Sequence, residues 1–255
     1  MSERRLFFLP GASTDAGSQA LPPEEAHHVA RVLRLGAGDH IGVLDGRGME
    51  GTAEIVSATK GRVLVRVLTL GPGAREPGRP VVVVAGLVKG PRWDFLIEKA
   101  TELGATHIAP LAAGRSVVRG GRLERWQRIA LAAAKQSLRA RIPELAAPRG
   151  LADILAAWPA AHVLVASETG GPIGAPPAER EQPLLLLIGP EGGFTDEEQD
   201  LLRLAGAREV TLGPRRLRSE TAVAALLTLA RAYFDAAALD EADENRLDSR
   251  RKPPL

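Results

Sequence analysis

The sequence predicts an α/β protein in which a small β-rich N-terminal domain precedes a larger domain on a mostly parallel sheet. Three observations carry this. Residues 1–72 hold short strand-like runs separated by the turn pairs Asp45-Gly46 and Lys60-Gly61. From Val81 onward, apolar strand runs alternate with segments of helical spacing, the pattern of a parallel sheet with helices on both faces. Within that second region, Leu184-Leu185-Leu186-Leu187-Ile188 is apolar at every position, as a strand covered on both faces requires.

In the first domain, Arg4 to Leu9, Ile41 to Leu44, Thr52 to Val56 and Arg62 to Leu70 read as strands closing into a small barrel. One helix interrupts them, Pro23 to Leu35, stopped by Gly36. Its apolar side is Ala26, Val29, Val32 and Leu33. His27, Arg31 and Arg34, at i, i+4 and i+7, share the other face, with His28 beside it. That stripe fits a surface tracking RNA phosphates and equally fits an ordinary solvated face. Gly71 to Pro80 is rich in Pro and Gly and reads as a linker.

The second domain, 80–238, takes Val81 to Val84 as its first strand. Pro91 opens a helix that Gly104 closes, its apolar stripe being Trp93, Leu96, Ile97, Ala100 and Leu103. His107 to Leu111 is a strand and Leu123 to Leu138 a helix. Leu145 sits on a short strand, Leu151 to Ala157 is a short helix, and Val163 to Ala166 a strand ending in Ser167-Glu168. After Leu184–Ile188, Thr195 with Glu198 three residues on forms a capping box, so a helix starts there and runs to Gly206. Glu209 to Leu212 is a strand, and Glu220 to about Asp235 a helix. Because Ala222 to Ala230 is apolar at every position but Thr228, that helix is expected to be buried all round, in a homodimer interface or, as the alternative, as a central helix within one subunit. Residues 239–255 are charged and proline-ended, and disorder is expected.

Whole-chain composition narrows the chemistry. Lys and Arg number 33 against 31 Asp and Glu, so net charge is only +2 and any case for nucleic acid rests on where the arginines lie. With no cysteine, a disulfide framework, a thiolate zinc site and a cysteine nucleophile are excluded; no metal is expected. No signal peptide and no membrane-length apolar run is present, so a cytoplasmic protein without a membrane partner is expected.

The candidate site lies in two glycine-bearing loops that follow strands, Gly189-Pro190-Glu191-Gly192-Gly193-Phe194 and Gly213 to Ser219. Loops at the carboxyl ends of parallel strands are where such sheets bind ligands. Neither is a phosphate cradle of the G-x-G-x-x-G or G-x-x-x-x-G-K-[ST] kind. Singly, each fits a tight turn. The tandem, with Glu191 and Glu220 beside it, points to a ligand gripped by main-chain groups.

These two stretches, the second read from Leu212 through Arg218-Ser219-Glu220-Thr221-Ala222, resemble the two signature motifs of the 16S ribosomal RNA uracil-N3 methyltransferases. That family is ribosomal RNA small subunit methyltransferase E, of the SPOUT class. His27 to Leu35, Lys89-Gly90 with Asp94 to Gly104, Arg115-Ser116-Val117 and Leu123 to Trp126 are similar to further family motifs. The resemblance runs to about Phe234. It implies a PUA-like N-terminal barrel, a C-terminal trefoil knot, S-adenosylmethionine (SAM) as cofactor, and a homodimer whose second subunit completes each site. It also implies 16S ribosomal RNA of the small ribosomal subunit as substrate. SAM is then expected on Ile188, Gly189, Glu191, Gly192, Gly193, Leu212, Gly213, Leu217 and Ser219. RNA is expected on Arg4, His27, His28, Arg31, Arg34 and Lys89. The sequence departs from the family at Arg216, where isoleucine or valine is usual, at Ser219, where threonine is usual, and at Lys135, near which glutamate is usual.

Uracil N3 carries a proton and is a poor nucleophile until it leaves. A carboxylate or imidazole removes it, or an arginine stabilises the charge that develops on the base's oxygens. Glu220 and Glu191 are the carboxylate candidates, Arg218 and Arg5 the cationic ones, and Arg218 equally fits a phosphate or structural contact. A carboxylate at a helix N-terminus is stabilised in its charged form and is a weak base, which favours the arginine route. A non-catalytic RNA-binding factor on the same fold remains the alternative, separated by methyl incorporation into small-subunit RNA.

Overall fold

The computed structural model describes residues 6–59, 61–112, 123–174 and 181–233. The chain divides into two compact units, Met1–Glu76 with Gln127–Pro143, and Pro77–Trp126 with Glu144–Leu255.

The first unit holds a five-stranded sheet in the order β1-β3-β4-β5-β2: β1 (Leu6–Phe8), β2 (Ser18–Ala20), β3 (His40–Leu44), β4 (Met49–Thr59) and β5 (Arg62–Pro72). β1 runs parallel to β3 and the other pairs are antiparallel. Alternate residues of β3, β4 and β5, among them Ile41, Val43, Ala53, Ile55, Val63 and Val65, bury one core with Phe7, Leu9 and Val29. At the β3–β4 turn, Asp45 Oδ1 accepts from the main-chain N–H of Arg47 at 2.7 Å and of Met49 at 2.9 Å. Strand β2 was not expected: Ser18-Gln19-Ala20 lacks β-type alternation, and edge pairing with β5 makes it a strand.

Two expectations need correction here. The helix predicted over Pro23 to Leu35 is an α-helical segment, α1 (Pro23–His27), running into a π-helical turn at His28–Val32. The wider turn shifts later positions off α-helical spacing, and Arg34 stands beyond it with φ +56°. Val32, expected on the apolar side, is 61% exposed. The predicted linker contains the boundary between the units, at Glu76/Pro77, but its first two residues belong to a strand. Gly71 and Pro72 end β5 opposite Glu50 and Met49, so the proline stands at a strand end. Glu76 accepts from Arg139 Nη2 at 2.7 Å and from the N–H of Arg141 at 2.9 Å, and this holds residues 127–143 to the first unit.

The second unit is a six-stranded, wholly parallel sheet in the order β11-β9-β10-β6-β7-β8. Its strands are β6 (Val81–Gly86), β7 (His107–Leu111), β8 (Glu144–Leu145), β9 (His162–Gly171), β10 (Leu184–Ile188) and β11 (Arg208–Val210). The helices are α2 (Pro91–Glu102), α3 (Leu123–Gln136), which enters the first unit at Gln127, α4 (Leu151–Ala157), α5 (Asp196–Leu204) and α6, residues 219–233. Every residue of β10 and of β6 is buried, and each such Leu, Ile or Val contributes roughly 1.5–3 kcal/mol relative to exposure. Leu151, Ile154 and Leu202 of α4 and α5 pack on the face carrying Val82, Val84, Leu185 and Leu187. The capping box of α5 is complete: Glu198 N–H donates to Thr195 Oγ1 at 3.2 Å, and Thr195 N–H to Glu198 Oε2 at 2.8 Å.

Helix α6 is not apolar-buried all round in the single chain. Ala222, Val223, Leu226, Leu227 and Ala230 form its buried stripe, while Leu229 and Tyr233 are 43% and 37% exposed. The intrachain core therefore accounts for most of its apolar length.

Lys135, the unusual residue of the third helix, belongs to the first unit, where its Nζ lies 2.6 and 2.8 Å from the two oxygens of Glu25. Glu25 is only 4% exposed, so removing the cation strands a buried carboxylate. Lys135→Met should cost roughly 2 kcal/mol in urea unfolding, less than for a fully buried pair because Lys135 keeps 25% exposure. Adding Glu25→Gln should return most of that loss.

Candidate functional site

The first glycine loop leaves the carboxyl end of β10 and turns back to start α5. Gly193 adopts φ +76°, a conformation that any side chain would strain. The loop sits tightly on the sheet: a Cβ added at Gly86, the last residue of β6, would lie 2.6 Å from Pro190 Cα. The second loop leaves β11 through Gly213, at φ +103°, and ends at Arg218, whose carbonyl accepts the N–H of Ala222 at 2.8 Å and so opens α6.

The two loops and the carboxyl half of β9 wall one cavity of about 850 Å³, within the range of small-molecule sites. All nine residues expected to hold the cofactor line it: Ile188, Gly189, Glu191, Gly192 and Gly193 from the first loop; Leu212, Gly213, Leu217 and Ser219 from the second. Arg218 lines it as well, with Arg215 and Arg216 of the same loop. Ala166, Ser167 and Glu168 of β9 complete the wall. Arg216 is exposed and lies 3.7 Å from Glu168, a pairing that places its extra charge at the surface. Ser219 is buried in the first turn of α6.

Glu220 is placed differently from the residues around it. It is buried, and its carboxylate is gripped side-on by Arg92, with Nε 3.1 Å from both oxygens and Nη2 2.9 Å from Oε2. Arg92 Nη1 reaches Glu191 Oε1 at 2.9 Å. Burial alone would raise the Glu220 carboxyl, but the hydrogen bonds from Arg92, with the charge of Arg218, outweigh it and hold the group below its ordinary range. Glu220 and then Glu191 hold the Arg92 guanidinium above its ordinary value. A carboxylate so occupied is a poor proton acceptor.

Lys89 is exposed ahead of α2. In the first unit His27, Arg31 and Arg34 are exposed and His28 half-buried, its ring 5.7 Å from that of Phe7. Arg4 and Arg5 lie outside the described residues, as do Arg115, Ser116, Val117 and the tail 239–255. Sequence reasoning missed Arg92 and the β9 wall. Arg92 did leave a signal: a cation in the first turn of a helix opposes the dipole, and asks for carboxylates close by. Among the described residues no group of three or more His, Cys, Asp or Glu side chains could hold a metal ion, and no helix is long and apolar enough to cross a membrane.

A profile of the RNA methyltransferase domain matches residues 75–231, and one of the RNA methyltransferase PUA domain matches residues 21–68. The ribosomal RNA small subunit methyltransferase E of Bacillus subtilis is 33% identical over 223 residues, covering 82% of this chain and 87% of that protein. Its namesake from Synechocystis is 34% identical over 226 residues, covering 86% of this chain and 74% of that one. Among solved structures, a ribosomal RNA small subunit methyltransferase E from Neisseria gonorrhoeae, bound to S-adenosyl methionine, superposes with TM-score 0.80 at 30% identity, covering 90% of this chain and 97% of that one. A probable rRNA-methyltransferase from Porphyromonas gingivalis gives TM-score 0.79 at 31% identity, covering 91% and 99%.

The environment of Glu220 yields a pH prediction. A carboxyl lowered on folding contributes stability that is fully present above its ordinary value of 4.5 and fades as pH falls through the lowered one. Glu220→Gln should therefore cost about 1–2 kcal/mol at neutral pH, a figure reduced because Arg92 keeps 34% exposure. The gap in melting temperature between the two proteins should narrow as pH is lowered through the acid range. A gap independent of pH would mean that the ionised carboxylate is not what stabilises this end of α6.

Proposed function

Because the chain belongs to the ribosomal RNA small subunit methyltransferase E family, we propose that it methylates N3 of a uridine in 16S ribosomal RNA of the small ribosomal subunit, with SAM as donor. One observation carries the reading: both signature loops and Arg218 converge on a single cavity. The cavity suits that cofactor. Its volume is that of a small-molecule site, and glycines at its walls let main-chain groups approach a bent ligand. Ile188 to Gly193 and Leu212 to Ser219 would hold SAM, which supplies an electrophilic methyl group on a sulfonium.

The chain's own task is to bring the acceptor into line and make N3 nucleophilic. With Glu220 committed to Arg92, deprotonation falls to solvent, and Arg218 at the cavity wall stabilises the negative charge that develops on the uracil oxygens. Arg5 is assigned the same kind of role from outside the described residues. Arg4, His27, His28, Arg31, Arg34 and Lys89 are assigned to RNA, the arginines and the lysine as charges that track phosphate. A homodimer in the cytoplasm completes the proposal. Its interface uses the exposed apolar side chains of α2 and α6, Phe95, Leu229 and Tyr233, and not Leu226, which the core of one chain already buries.

The direct test is incubation with labelled SAM and small ribosomal subunits from a strain lacking the activity, followed by nucleoside analysis. Labelled N3-methyluridine is expected; its absence alongside intact SAM binding would favour the non-catalytic alternative. Arg218→Ala should lower the single-turnover rate at saturating RNA by roughly 100- to 1,000-fold, with a smaller effect on RNA affinity. Arg31→Ala with Arg34→Ala should do the opposite, flattening the log-log salt dependence of RNA binding by roughly one to two units. Leu229→Glu should leave the chain folded and shift sedimentation from dimer to monomer; a folded dimer would move the interface elsewhere.

A further inference from the structure

We propose that Arg92 is the positioning residue of this site, a single guanidinium that sets the separation of the two glycine loops and so fixes where Arg218 stands. The proposal rests on reading the cavity as the cofactor site. Three segments distant in sequence meet at this one side chain: the first turn of α2, the first loop through Glu191, and the first turn of α6 through Glu220. Glu191 adjoins Gly192-Gly193, and Glu220 stands two residues after Arg218, so each carboxylate is attached to the backbone of one wall. Nε and Nη2 face one carboxylate while Nη1 faces the other. Only a rigid planar fork does this; a lysine ammonium is a point charge on a flexible stem and fixes no mutual orientation.

The exposure of the partners argues for geometry over stability. The Glu191 side chain is 72% exposed, so its ion pair contributes little to folding. It nevertheless determines where the glycine loop stands relative to the anchored Glu220, which is 11% exposed at its side chain. The chain just past α2 also comes close to α6, since a Cβ added at Gly104 would lie 3.3 Å from the Arg231 guanidinium. Arg92 thus ties both loops to the first turn of α2.

The test uses the full-length protein with Arg92→Lys, Glu191→Gln and the double variant. Amide hydrogen exchange is measured without ligand over 189–193 and 213–219, beside SAM affinity by calorimetry and single-turnover methylation. Arg92→Lys should keep its melting temperature within a few degrees, speed exchange in both loops, and weaken SAM binding by roughly tenfold. Glu191→Gln touches only the exposed arm and should fold normally. It should still speed exchange in the second loop, and in the Arg92→Lys background it should add little. Unchanged exchange over 213–219 in Glu191→Gln, or effects of the two substitutions that simply add, would overturn the proposal. If the wild type failed to bind SAM while Arg92→Lys still loosened both loops, the clamp would stand and the proposed function would fall.

Discussion

The second unit depends on one constraint: a parallel strand buried on both faces must be apolar along its whole length and can present polar groups only at its ends. Leu184–Ile188 meets it with five buried residues, flanked by β6 on one side and β9 on the other. Polar chemistry is thereby pushed to the carboxyl edge, where the chain must turn. The close approach of Pro190 to Gly86 fixes the loop's path at that turn, and the same edge receives the chain leaving β9 and β11. The cavity follows from strand order more than from any one side chain.

Polar groups at that edge then partition by burial. Glu220 is buried and Glu191 exposed, yet both meet Arg92. A buried carboxylate without that partner would bind a proton or unfold its surroundings. With it, the charge persists and the first turn of α6 is anchored. The same ion pair that stabilises the helix start occupies the Glu220 carboxylate, while Arg218, two residues earlier, lines the cavity.

Much of this was legible in the sequence, and the failures have identifiable physics. Periodicity and flanking turns located β7, β10 and α4 to the residue, because each is bounded by strong breakers or by unbroken apolar burial. The capping box placed α5 because it is a reciprocal local bond needing no tertiary partner. The π turn at His28–Val32 was invisible, since the same residues satisfy α-helical spacing equally well. So was the return of residues 127–143 to the first unit: the bond from Arg139 to Glu76 spans 63 positions and leaves no local pattern. The lining of the cavity was readable as two glycine loops, whereas Arg92 lies 99 residues from Glu191 and 128 from Glu220.

Charge balance had the same blind spot. A net charge of +2 gives no sign that Arg215, Arg216 and Arg218 stand together at one wall. Their effects differ with their surroundings. Arg216, 81% exposed, faces an equally solvated Glu168, and water screens most of what it exerts on the cavity. Arg218 precedes α6 at the cavity wall, and its charge is felt by Glu220 in the first turn of that helix, the positive end of the helix dipole. A substrate that became anionic on losing a proton, as proposed, would gain from both fields at once. That gain grows as a bound base displaces water and lowers the local dielectric. In the reaction proposed, stabilising the deprotonated base would need only a donor fixed in place, and the ion pair two residues further along the helix would do the fixing.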